Sequence, residues 1–422
     1  MQKLVIKGGR KLSGTIEISG SKNATLPILT STILTNKKII LKNVPVVKDV
    51  ETMVNLLKTI GSSVKFDKKN KKIEILNNKK LKTFAPYYLL KTMRAGVLVL
   101  GSLLAKYKNA KVSLPGGCAI GSRPIDLHLD ALKKMGAKIK IKDGYIVATA
   151  PKGLNGNVIR FPKISVGATE NILIASCFAK GKTNLKNCAT EPEVIDLVNF
   201  LKKIGCKIKW TGKRSLSIIG IDKFKSTTYK IIFDRIEAGT YIIASAISGG
   251  SLKIKNVKLE HILTEINFLR KMGINIKKGK GFIKVFSPNK IKKINLKTEP
   301  YPGFPTDLQA QIMVLMTKAH GNSIIKENIF ENRFMHVSEL RRMGAQIDII
   351  GNKAIVHGNK KLNGAELMAT DLRASVSLIL AGLAAKGRTI VNRIYHLDRG
   401  YEKIEDKLSK CGAYIKRIPQ HE

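Results

Sequence analysis

The segment Leu114-Pro115-Gly116-Gly117-Cys118-Ala119-Ile120-Gly121-Ser122-Arg123-Pro124 gathers the residue types of a reactive loop. Glycines let a backbone approach a ligand closely, and a guanidinium beside a thiol favours the thiolate. Taken alone, these residues leave two readings open: an activated thiol on a mobile loop, or an inert loop cysteine. The other cysteines, Cys177, Cys188, Cys206 and Cys411, fall in helical segments or the turns after them, where a thiol serves as a small hydrophobe. An odd, dispersed set without a C-x-x-C pair argues against a disulfide framework and against a zinc site. The seven histidines show no ligand spacing, so neither a metal nor another cofactor is expected.

A second group could bind anions. Ser19-Gly20-Ser21-Lys22-Asn23-Ala24 stands where a strand meets a helix, and a helix start beside a lysine suits an anion. Phe304-Pro305-Thr306-Asp307 opens another helix, where the aspartate reads equally as a cap. Asp371-Leu372-Arg373 and Asp398-Arg399-Gly400-Tyr401-Glu402 each set a carboxylate next to a guanidinium. Of the 76 basic residues only 15 are Arg. Where lysine is the default cation, arginines mark positions that need a planar fork for carboxylate or phosphate. Arg94, Arg123, Arg373 and Arg399 are the ones to watch. Lys22, Asn23, Arg94, Cys118, Arg123, Asp307, Arg373 and Arg399 come from both halves of the chain. If the helix starts that carry them converge, they line an anion-binding cleft for a substrate with several phosphate and carboxylate groups.

The net charge of +46 raises nucleic-acid binding as an alternative. The lysines, however, sit on every apparent solvent face, and aromatics are only 6%, too few to interleave with a basic strip. A solvated surface is the better reading, and no nucleic-acid partner is expected. No apolar run approaches the ~18 residues of a membrane span. The start Met1-Gln2-Lys3-Leu4 leads to Gly8-Gly9 without an apolar signal region, so a cytoplasmic protein is expected, with no membrane insertion.

These residues must be positioned by a repeated scaffold. Leu, two polar residues, an apolar residue and Gly recur, ending at Gly61, Gly136, Gly205, Gly273, Gly344 and Gly412, 68 to 75 residues apart. Each copy reads as an amphipathic helix closed by glycine, then an alternating strand such as Ala137-Lys138-Ile139-Lys140-Ile141. Upstream of most copies lies a helix that is apolar nearly all round, as at Ala168 to Phe178, Glu237 to Ile247, Asp307 to Met316 and Asp371 to Ala384. The unit is β-α-β-α-β-β, in the α/β class. Three units fill a domain of ~200 residues, so six make two domains. The first is expected at 21–228, carrying the Cys118 loop, and the second at 1–20 plus 229–422, the boundary lying near Lys225 to Tyr229. Gly181-Lys182-Thr183 resembles the end of a phosphate loop, but that motif needs glycine where Ser176 stands, so it reads as a turn.

The motifs resemble the enolpyruvyl transferase family essentially end to end, in the branch that acts on UDP-N-acetylglucosamine. The resemblance is most specific at Gly20-Ser21-Lys22-Asn23-Ala24, Pro115-Gly116-Gly117-Cys118, Gly121-Ser122-Arg123-Pro124-Ile125-Asp126-Leu127-His128, Phe304-Pro305-Thr306-Asp307, Glu331-Asn332-Arg333-Phe334-Met335-His336 and Ile394 to Glu402. It implies two inside-out α/β barrels of three repeats each, and transfer of the enolpyruvyl group of phosphoenolpyruvate to the 3-hydroxyl of UDP-N-acetylglucosamine, a step of peptidoglycan synthesis. By that resemblance Lys22, Arg123 and Arg399 hold the phosphate and carboxylate of phosphoenolpyruvate, with Arg94 nearby and Arg373 also at the site. Cys118 assists proton delivery or product release and is the residue fosfomycin alkylates. Asp307 acts on the sugar hydroxyl, as base or as hydrogen-bond partner. Asn23 and the carbonyl of Ile329 hold the amino sugar. The uridine and diphosphate rest on Arg123, Pro124, Ile125, Asp126 and Leu127, and on Lys163, Ser165, Val166 and Gly167. The sister branch, which uses shikimate 3-phosphate, shares fold and donor; the Pro-Gly-Gly-Cys loop followed by Arg123 to Leu127 is associated with the nucleotide-sugar branch. Leu98 departs from the bulkier aromatic of some members.

Overall fold

In the computed structural model, which describes residues 2–116 and 125–419, each repeat glycine lies just past the end of a helix. The six helices are Lys48–Thr59, Asp126–Lys134, Pro192–Lys203, Leu263–Lys271, Val337–Arg342 and Ile404–Ser409. The glycines take φ between 93° and 110°. A side chain there would cost roughly 1–2 kcal/mol. In every copy the glycine N–H and the next N–H turn back on the helix: Gly61 donates to the Lys58 carbonyl and Ser62 to that of Leu57, each at 2.9 Å. The recurring leucine is therefore the residue whose carbonyl closes the cap, which explains the Leu-to-Gly spacing.

The second kind of helix is buried around its circumference. We label these helices α1 (Lys22–Ser31), α2 (Val99–Tyr107), α3 (Val166–Ser176), α4 (Arg235–Ile247), α5 (Gln309–Thr317) and α6 (Leu372–Ala384). α1, α2 and α3 pack on one another, as do α4, α5 and α6. Each trio is the centre of a separate hydrophobic core. Several of the expected limits move; α4, for one, begins at Arg235, capped by Asp234, rather than at Glu237. α3 begins two residues earlier than expected, capped by Ser165, and α5 begins at Gln309 because a 3-10 turn, Thr306–Leu308, comes first.

Three four-stranded sheets surround each trio, with helices inside and sheets outside. All six sheets share one order. Phe84–Ala85 runs parallel to Asn109–Ser113, which pairs antiparallel with Tyr145–Thr149, which pairs with Lys138–Lys142. A parallel pair needs a crossover, and in four of the six sheets α2, α3, α5 or α6 supplies it directly. One unit comprises residues 20–116 with 125–232, the other 2–19 with 233–419. The N-terminal strands complete sheets of the second unit: Gln2–Lys7 lies between Arg388–Asn392 and Tyr414–Pro419, and Ser13–Glu17 pairs with Ser251–Lys255. Thr227–Lys230 pairs parallel with Ile39–Lys42. That strand keeps the chain in the first unit to Ile232, rather than to residue 228.

The repeats also share an asparagine latch. Asn43, Asn187 and Asn256 each follow the second strand of a sheet with φ near 60°. Their side-chain amides donate to Ile231, Phe161 and Ile18, the carbonyls just past the neighbouring parallel strand. Gly181 is a turn residue (φ 78°) leading into Lys182–Lys186. Among the described residues no helix is long and apolar enough to cross a membrane.

Candidate active site

In the first unit the candidates sit at the starts of helices. Ser21 caps α1 by accepting from the Ala24 N–H, which leaves Lys22 and Asn23 on its first turn. Gly20 is required there by close approach, since a Cβ would fall 1.7 Å from the Asn43 carbonyl oxygen. Lys22 is only 12% exposed and pairs with Asp49 at 3.1 Å; Asp49, 5% exposed, belongs to the first turn of Lys48–Thr59. A lysine held this way presents its charge from a set position. Arg94 opens a 3-10 turn, Arg94–Leu98, that packs against both α1 and α3. Leu98 is buried in that turn.

Ser165, Val166 and Gly167 form the start of α3. Ser165 caps it through the Ala168 N–H, and Lys163 just before it is exposed. Asp126 is exposed and Leu127 half-buried at the start of their helix. The Ile125 side chain packs into the core of the first unit. Cys118, Arg123 and Pro124 lie outside the described residues. The helix of Asp126 and Leu127 also brings in His128, whose ring meets Asn171 of α3 at 2.9 Å. Burial, together with the charge of Arg94, pushes this imidazole down to about 4, so it is neutral at ordinary pH.

In the second unit Asp307 is the centre. It does not cap α5. Oδ1 accepts from Nη2 of Arg333 at 2.9 Å, and Oδ2 from Nη2 of Arg373 at 2.5 Å. Arg373 is 8% exposed and Asp307 28%. Burial opposes the charge on Arg373, but the Asp307 carboxylate, with Tyr401 and Asp234, more than offsets it and holds the guanidinium above its usual range. Behind Arg373, the Tyr401 hydroxyl contacts Thr240 at 2.8 Å. Asp371, beside Arg373 in sequence, is the cap of α6 through the Arg373 and Ala374 N–H groups. Asp398 likewise does not serve Arg399: it takes both Nη groups of Arg417, at 2.9 and 2.7 Å. Arg399 ends the turn Ile394–Arg399, which packs on α6.

Ile329 is tied to Asp307 through buried Glu327. The Glu327 carboxylate accepts from the Ile329 N–H (2.8 Å), from the Thr298 hydroxyl (2.7 Å) and from the hydroxyl of Thr306 (3.0 Å), the residue before Asp307. Among the described residues, most of those expected in each unit stand at helix starts or short turns, with buried Asp49 holding Lys22 in one unit and half-buried Asp307 holding Arg373 in the other.

Residues 6–408 match the family model described as EPSP synthase (3-phosphoshikimate 1-carboxyvinyltransferase). The chain belongs to the enolpyruvyl transferase family. The UDP-N-acetylglucosamine 1-carboxyvinyltransferase of Pelagibacter ubique is 63% identical over 99% of this chain and all of its own length. That of Geobacter metallireducens is 51% identical over the full length of both chains. Among solved structures, the enolpyruvyl transferase NikO from Streptomyces tendae has a TM-score of 0.91 at 23% identity, covering 99% of this chain and 98% of its own. EPSP synthase from Acinetobacter baumannii has a TM-score of 0.78 at 18% identity, covering 99% and 100%. These structures share the two-domain α/β fold of the enolpyruvyl transferase family.

Several residues that hold the expected ones in place were given no role of their own from sequence. They are Asp49 beside Lys22, Asn171 beside His128, Arg333 and Tyr401 around Asp307 and Arg373, and Glu327 beneath Ile329. Arg333 was open to the same argument as the other arginines. The carboxylates and amides gave no signal, because each acts on a partner distant in sequence.

Proposed function

We propose that this chain transfers the enolpyruvyl group of phosphoenolpyruvate to the 3-hydroxyl of UDP-N-acetylglucosamine, releasing phosphate, as a step of peptidoglycan synthesis. The observation that carries this is the shared acceptor-specific name of relatives 49–63% identical over 99–100% of the chain. The family model is described by the shikimate acceptor, but the structures bearing that name are only 18–19% identical to this chain.

Lys22, Arg123 and Arg399, with Arg94 nearby, bind the phosphate and carboxylate of the donor. The donor's methylene carbon gains a proton, with Cys118 assisting, and the acceptor oxygen bonds to the adjacent carbon as its own proton leaves. The tetrahedral adduct then loses phosphate and a proton from the new methyl group, which restores the double bond in the product. Positioned proton transfer and fixed cations supply this chemistry. The Asp307 carboxylate is held between Arg333 and Arg373, one oxygen to each. That arrangement suits it to orient the acceptor hydroxyl and to receive its proton. Asn23 and Ile329 take the amino sugar, and the turn at Ser165, Val166 and Gly167, with Lys163, takes the diphosphate. Both substrates are soluble metabolites, so we place the protein in the cytoplasm, with the +46 charge a solvated surface and no nucleic-acid partner.

The test is phosphate release from phosphoenolpyruvate with UDP-N-acetylglucosamine, with shikimate 3-phosphate or with neither, each with and without fosfomycin. Release that depends on the nucleotide sugar and stops with the drug is expected. Release with shikimate 3-phosphate alone overturns the acceptor.

A further inference from the structure

The guanidinium of Arg373 is held at both of its nitrogen ends. Nη2 donates to Asp307 Oδ2 at 2.5 Å, and Nη1 reaches the Tyr401 hydroxyl at 3.4 Å. That hydroxyl meets one residue from each buried helix of the second unit: Arg373 of α6, Thr240 of α4 at 2.8 Å and Gln311 of α5 at 3.4 Å. The directions of these bonds follow from the groups. Guanidinium and amide nitrogens only donate, so the Tyr401 oxygen accepts from Arg373 and Gln311. Thr240 gives its own proton to the Ile236 carbonyl at 2.8 Å, so the Tyr401 proton goes to Thr240. Burial raises the Tyr401 phenol, against the pull of Arg373, so that proton stays in place. The Gln311 amide is oriented by a separate contact: its nitrogen also donates to the Asp307 carbonyl at 2.9 Å, which would repel the amide oxygen. This orientation leaves Gln311 Oε1 buried with no partner among the described residues. Tyr401 is 3% exposed, and Thr240 and Gln311 are fully buried. None has surface to offer a substrate, so the cluster acts only on what it holds. A guanidinium with one partner turns about it; with two, its plane is set.

We propose that Tyr401 is a positioning residue for acceptor activation: its oxygen fixes the plane of Arg373, and Arg373 thereby fixes the Asp307 carboxylate that meets the acceptor hydroxyl. This rests on the transferase reading above and extends the site one layer behind Asp307. Arg333 holds the other Asp307 oxygen, so losing the Tyr401 oxygen loosens the carboxylate without releasing it. The effect falls on the geometry of the reacting groups, and so on kcat, rather than on substrate binding.

The test is steady-state phosphate release from phosphoenolpyruvate with UDP-N-acetylglucosamine by the full chain, with thermal unfolding of each variant. Tyr401→Phe keeps the ring and removes one oxygen. It should lower kcat by ~10-fold while KM for each substrate stays within ~3-fold. A lower melting temperature with kcat of the folded protein unchanged would mark a merely structural hydroxyl and overturns the proposal. A rise in KM at unchanged kcat overturns it too, because it puts the hydroxyl in binding. Arg373→Lys keeps a cation for Asp307 but has no second nitrogen for Tyr401, so it carries its own loss in kcat. Adding Tyr401→Phe to it should change kcat by less than ~2-fold. The same loss from Tyr401→Phe in both backgrounds shows that Tyr401 does not act through Arg373, and overturns the proposal. Should Tyr401→Phe not fold, Thr240→Val decides in its place. It leaves Arg373 and the ring alone, removes the acceptor of the Tyr401 proton, and should lower kcat by ~3-fold, but not on the Arg373→Lys background. No loss, or an equal loss on both backgrounds, overturns the proposal. If the unaltered protein releases no phosphate with UDP-N-acetylglucosamine, the transferase reading itself falls, and this inference with it.

Discussion

Asp307 joins Arg373 at 2.5 Å while its other oxygen holds Arg333, so a single carboxylate fixes two nearly buried guanidinium groups. Breaking a buried pair by removing one partner costs about 3–5 kcal/mol, because it strands the other charge. Asp307→Asn should therefore lower thermal stability as well as activity. Arg333→Met separates the two effects, since Arg373 still holds Oδ2. It should leave the fold intact but let the carboxylate swing, lowering kcat by ~100-fold, the scale expected of misplaced reacting groups. Steady-state kinetics of both variants and the double variant checks this. Losses that add independently would mean that Arg333 does not act through Asp307.

Lys22 reaches its place at the start of α1 through Asp49, 27 positions away. Asp49→Asn keeps the shape but removes the charge that holds the ammonium. KM for phosphoenolpyruvate should rise by ~10-fold, the value of one charge-assisted contact, with KM for the nucleotide sugar unmoved. An equal rise in both constants would mean that the helix has shifted as a whole.

What could be read from sequence follows the range of the interactions. The six helix-ending glycines were legible because cap and leucine lie four residues apart and the backbone alone dictates them. The buried helices were legible from composition, although α5 starts after Asp307 because the turn at Thr306–Leu308 intervenes. The aspartates misled. Asp307 looked like a cap and is an ion-pair centre, while Asp371 and Asp398 stood beside arginines but serve as a cap and as the partner of Arg417. Asn171 and Glu327 were invisible, because a lone polar residue in an apolar stretch does not reveal which distant backbone group it satisfies. The asparagine latches, by contrast, follow a strand at the same place in three repeats and were open to discovery.

His128 in the first unit and His336 in the second are both held near 4 by burial, against 6.5 for a free imidazole. The unfolded chain thus binds more protons between pH 4 and 6.5, and stability rises with pH across that window. The contribution is complete above about pH 6.5 and lost as pH falls toward 4. At pH 5 each histidine should cost its unit about 2 kcal/mol. Urea unfolding at pH 7.5 and 5.0 measures this loss, and His336→Asn should flatten it in the second unit only. An unchanged pH slope in that variant would assign the acid sensitivity to carboxylates instead.

The N-terminal strands are held in the second unit by Glu237. One of its oxygens accepts from the Ser19 N–H at 2.7 Å, and the other from Lys407 at 2.6 Å; Lys407 also reaches the Ser19 hydroxyl at 2.8 Å. Glu237 is 3% exposed. Burial raises its pKa, with Lys407 working against that rise. Lys407→Met strands this carboxyl group and should cost about 3–5 kcal/mol, less whatever protonation recovers. Pairing it with Glu237→Leu removes both charges and should restore most of the loss, because well-packed apolar replacements of buried pairs are often neutral. Hydrogen exchange localises the effect. In Lys407→Met the amides of Gln2–Lys7 and Ser13–Glu17 should lose protection first, since those strands reach their sheets from the far end of the chain. Uniform loss across the second unit would show that the pair stabilises the core as a whole rather than its first two strands.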